Sequence, residues 1–84
     1  MGLRTDYPYH EALNDLRVFF EKRIIHSDVK AELNEELDAS FKRKTVPMRY
    51  LFDRFIKYTS EHKLFDPYSE EEEKMIDELL HFWA

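Results

Sequence analysis

Large apolar side chains recur at steps of three and four in four separate stretches of this chain. That spacing puts them on one face of a helix each time. The first stretch is Tyr9, Ala12, Leu13, Leu16, Phe19, Phe20 and Ile24. The second is Val29, Leu33, Leu37 and Phe41, and the third is Met48, Leu51, Phe52, Phe55, Ile56 and Thr59. Met75, Ile76, Leu79, Leu80 and Trp83 make the fourth. Alternation of period two is absent, so no sheet is expected.

Punctuation supports the same reading. Asp6 suits an N-cap and Pro8 a first helical turn. Ser27 reads as the next N-cap, followed by Asp28. Pro47 disfavours helix at Val46 and suits the start of a new one. Ser69 with Glu72 forms a capping box, the hydroxyl and the carboxylate each taking an otherwise unpaired N–H. Cations close the first two helices, Lys22-Arg23 and Lys42-Arg43-Lys44, opposite the negative end of the dipole. The spacing predicts helices over about 8–25, 28–43, 47–62 and 70–83. The third has the widest apolar face and is expected to be the most buried.

Short connections favour antiparallel neighbours, and four apolar stripes need a shared core. The expected fold is all-α: an antiparallel up-down-up-down four-helix bundle, one domain spanning residues 1–84. A chain of this length keeps a net stability of only about 4–12 kcal/mol, so most of its large apolar side chains belong in the core.

Composition removes several classes of function. There is no Cys, hence no disulfide scaffold and no Cys-based zinc module. A single Gly leaves no Gly-rich phosphate loop. A net charge of −5 argues against nucleic acid as the main partner. No apolar run approaches the ~20 residues that span a bilayer, and the N-terminus lacks a signal-peptide stretch. The expected location is the cytoplasm, with partial membrane association as a companion expectation.

Reactive chemistry is sparse. Of His10, His26, His62 and His81, only His81 completes a Glu-x-x-His, Glu78-Leu79-Leu80-His81. A di-metal bundle site needs two such motifs and two further carboxylates. Glu78 and His81 lie beside the apolar stripe and read as solvated surface. Ser27 and Ser69 read as caps, and Ser40 and Ser60 show no Ser-His-Asp arrangement. The carboxylates fall on polar faces, whereas acid–base work needs a buried one. No enzymatic activity, metal, cofactor or small-molecule substrate is expected.

Two features remain that suit binding. From Lys42 to Lys57 there are six cations (Lys42, Arg43, Lys44, Arg49, Arg54, Lys57) and one acid, Asp53, with Tyr50 and Tyr58 between them. This is either a docking surface for an acidic partner or anionic leaflet, or dipole compensation on a solvated face. Leu64, Phe65 and Tyr68 stand in a connection, and Phe82 and Trp83 at the end of the last stretch. They either close the ends of the bundle or form an exposed aromatic contact.

The order of these segments resembles the immunity proteins of pediocin-like (class IIa) bacteriocins, of the enterocin A immunity type. The likeness runs from about Tyr9 to Phe82. It includes the helices around His10–Leu16 and Ala31–Leu37, then Thr45-Val46-Pro47 leading into Leu51-Phe52-Asp53-Arg54-Phe55-Ile56. It continues through His62-Lys63-Leu64 and a capped last helix with Glu71, Ile76 and Leu79-Leu80. It is a likeness of spacing and order.

The resemblance implies a non-enzymatic cytosolic four-helix bundle that protects the producing cell. Such proteins engage the mannose phosphotransferase permease once bacteriocin has bound it, and much of their specificity lies in the C-terminal half. On this chain that points to Leu64, Phe65, Tyr68, Phe82 and Trp83 as contacts, with Lys42, Arg43 and Lys44 as electrostatic support. The alternative is a small helical regulator or adaptor that binds another cytosolic protein.

Overall fold

The computed structural model describes residues 5–84. Four helices follow in order, α1 (Tyr9–Arg23), α2 (Ser27–Arg43), α3 (Met48–His62) and α4 (Glu70–Trp83). No strand occurs among the described residues. The chain forms two compact units. One ends at Val46 and holds α1 and α2; the other, Pro47–Ala84, holds α3 and α4.

The helix ends differ in detail from the sequence reading. Pro8, not Asp6, is the residue before α1; its carbonyl accepts the Ala12 N–H at 2.9 Å. Ile24 leaves α1 in an extended conformation and is 1% exposed, while Ile25 beside it is 71% exposed. The helix therefore stops before the predicted residue 25, and the turn outward carries Ile24 to the interior. Ser27 is the first residue of α2 rather than its cap. His26 takes the cap position without capping the helix through its side chain, and its carbonyl receives the Lys30 N–H at 3.0 Å. Pro47 precedes α3, and its carbonyl takes the Leu51 N–H at 3.0 Å.

In the first unit α1 buries Ala12, Leu13, Leu16, Phe19 and Phe20, and α2 buries Val29, Leu33, Leu37 and Ser40. Phe41, expected in the stripe, is 48% exposed. The physical reason is the helical period. A step of four residues overshoots a 3.6-residue turn by about 40°, so a stripe of fours drifts and the fourth buried position falls back to Ser40. Phe41 instead meets the edge of the Tyr9 ring, with centroids 5.4 Å apart.

Polar contacts join α1 and α2. Arg17 donates to Asn34 Oδ1 at 3.1 Å and to Asp38 Oδ1 at 2.6 Å, and Lys30 Nζ donates to Glu21 at 3.3 Å. The two ion pairs are solvent-exposed or nearly so and add little to stability. Tyr7 precedes α1 yet is buried, and its hydroxyl donates to Asp15.

In the second unit α3 buries Met48, Leu51, Phe55, Tyr58 and Thr59. The first four fall at steps of three, four and three, which hold a straight line along the helix, and Thr59 adjoins the last of them. Phe52 is half-buried and Ile56 is 40% exposed, because they lie on the flank of that line. The third helix is thus no richer in buried residues than α1. Tyr58, read from the sequence as part of the basic surface, is wholly buried; Tyr50 remains exposed. In α4 only Ile76 and Leu79 are fully buried, and Leu80 is 38% exposed.

Candidate functional site

The connection between α3 and α4 is pinned at both ends. At the end of α3, Lys63 adopts the left-handed conformation with φ 55°. Its N–H reaches the Ser60 carbonyl at 3.4 Å, and the Leu64 N–H reaches the Thr59 carbonyl at 2.8 Å. This doubled bonding closes a helix C-terminus by absorbing carbonyls that lack a partner within it. At the start of α4 the capping box is formed as expected. The Glu72 N–H donates to Ser69 Oγ at 3.1 Å, and the Ser69 N–H donates to Glu72 Oε1 at 2.9 Å.

Between these clamps stand Leu64, Phe65, Asp66, Pro67 and Tyr68. Phe65 is 71% exposed, while Leu64 and Tyr68 are half-buried. The connection therefore keeps two apolar side chains partly against the protein and presents the third to solvent.

Phe82 and Trp83 are half-buried in the last turn of α4. The Phe82 ring meets the His81 ring edge-on at 4.8 Å. A helix of 14 residues is about 21 Å long. Tyr68 and Trp83 thus lie at opposite ends of α4, and the five aromatic and apolar candidates do not form one patch along it.

Lys42, Arg43 and Lys44 are all exposed. Arg43 is engaged on its own helix, donating to Glu36 Oε1 at 2.9 Å and to Ser40 Oγ at 3.3 Å. Lys44 closes α2 much as Lys63 closes α3, with φ 58° and its N–H on the Phe41 carbonyl at 3.2 Å. Part of this basic run is accordingly occupied in ending a helix.

The Glu78–His81 pair divides. His81 is exposed, but Glu78 is half-buried, and its Oε2 is shielded from solvent with no hydrogen-bond partner. This corrects the solvated reading. Glu78 lies three residues after Met75 and four before Phe82, on the row of half-buried positions. Among the described residues no group of three or more His, Asp or Glu side chains is placed to hold a metal. No described helix is long and apolar enough to cross a membrane.

Tyr7 is the buried aromatic that periodicity misses, since it lies before the helix. Its place just ahead of the cap, where an apolar residue commonly folds back on the first turns, is the signal that marks it. No family model matches the chain, and no curated protein or solved structure matches it either.

Proposed function

We propose that this protein is a bacteriocin immunity protein that protects a producing cell from a class IIa bacteriocin. It acts by binding, from the cytosolic side, the complex of bacteriocin with the mannose permease. The observation that carries this reading is Phe65, a large aromatic side chain held in water on a connection fixed at both ends. An exposed aromatic anchor with its loop conformation already set loses little entropy on docking and suits recognition of another protein. Leu64 and Tyr68 flank the anchor. Phe82 and Trp83 form a second contact, and Lys42, Arg43 and Lys44 supply electrostatic support. The resemblance in segment order, from Tyr9 to Phe82, gives the partner its identity.

The architecture proposed with this function is an antiparallel up-down-up-down bundle. The contacts of the first unit support the antiparallel order of α1 and α2. Tyr9 pairs with Phe41, Arg17 with Asp38 and Glu21 with Lys30, so partners descend in α2 as positions ascend in α1.

Expression in a bacteriocin-sensitive strain, challenged with a panel of class IIa bacteriocins, tests the function. The expected result is a gain in survival against at least one member. No gain against any member contradicts the proposal and favours a helical adaptor of another cytosolic protein.

A further inference from the structure

The exposed aromatic of the α3–α4 connection sits in the most acidic part of the chain. From Glu61 to Glu73 there are six carboxylates and a single cation, Lys63. Glu72 is committed to the capping box, but Glu61, Asp66, Glu70, Glu71 and Glu73 all have exposed side chains around Phe65 in sequence. The positive end of the α4 dipole amounts to about half a charge and offsets only a fraction of this. Glu70 and Glu73 stand three residues apart and so share one face of the first turn of α4, where a docking partner meets both together.

This charge selects among partners. An anionic leaflet attracts basic segments and repels such a surface. The cytoplasmic loops of membrane proteins, by contrast, carry an excess of Lys and Arg. We propose that the α3–α4 connection docks a basic protein segment of the kind found in such loops. An apolar side chain of that segment packs on Phe65, and its cations face Glu61, Asp66, Glu70, Glu71 and Glu73. This rests on the reading that the connection is the contact surface, and it names the chemistry of what is contacted there.

The test uses the purified full chain and a fluorescein-labelled synthetic peptide of Lys, Leu and Phe, followed by fluorescence anisotropy. A counterpart with Glu for Lys and phosphatidylglycerol vesicles are the controls. The basic peptide is expected to bind with an affinity that falls as salt rises. Phe65→Ala is expected to weaken it about tenfold, the loss typical of an aromatic anchor. The combined Glu70→Gln, Glu71→Gln and Glu73→Gln variant, which spares the capping box, is expected to flatten the salt dependence.

Equal affinity in Phe65→Ala, absence of binding, or Phe65-dependent preference for the acidic peptide or the vesicles overturns the inference. Cell survival separates it from the reading beneath it. Peptide binding without any protection contradicts immunity and leaves this inference standing. Protection that survives loss of the Phe65-dependent binding does the reverse.

Discussion

Lys44 and Lys63 hold left-handed backbone angles, at φ 58° and 55°, in a chain whose only Gly is at position 2. A side chain at such a site crowds the following carbonyl at a cost of roughly 1–2 kcal/mol, and Gly removes that cost while adding freedom to the unfolded chain. Lys63→Gly is therefore expected to raise the unfolding free energy by about 1 kcal/mol. Urea titration checks this, and a loss of stability would show that the lysine side chain holds the turn. Ser69→Ala removes one half of the capping box and should cost about 1 kcal/mol by the same measurement. That box was legible in sequence because its two partners are three residues apart and need nothing else. The role of Ser27 was not, because whether a hydroxyl caps depends on where the backbone enters the helix, and here it enters at Ser27 itself.

Periodicity located all four helices, and its errors have a geometric cause. Val29, Leu33 and Leu37 are buried as expected, but continuing by fours to Phe41 ignores the drift that hands the inner position to Ser40. The consequence is measurable. Leu37→Ala should cost about 2–5 kcal/mol, whereas Phe41→Ala should cost clearly less, because half of that ring already lies in water. Comparable losses for the two would contradict the assigned burial. In α4 the shielded, unpartnered Glu78 oxygen is a liability of about 1–3 kcal/mol. Glu78→Met, which keeps length and helix propensity, should stabilise the protein in a thermal melt. Sequence alone did not find this site because a carboxylate on the edge of a stripe looks the same as one in solvent.

For the molecule as a whole, the proposed shared core has its own signature. One core gives one cooperative transition, with helix content and aromatic packing lost together. Far- and near-ultraviolet circular dichroism should superimpose through urea unfolding, and separate transitions would contradict the bundle. The candidate site was legible in part. Loop aromatics stand out against polar connections, which exposes Phe65 to view, but the burial of Tyr58 and the separation of Tyr68 from Trp83 come only from three-dimensional placement. The central claim is that this loop protects a cell by contact. It is tested most directly by the survival of a sensitive strain that expresses the Phe65→Ala, Tyr68→Ala double variant, at a level and helix content equal to the parent protein. The account predicts that protection is lost, and undiminished protection would contradict it.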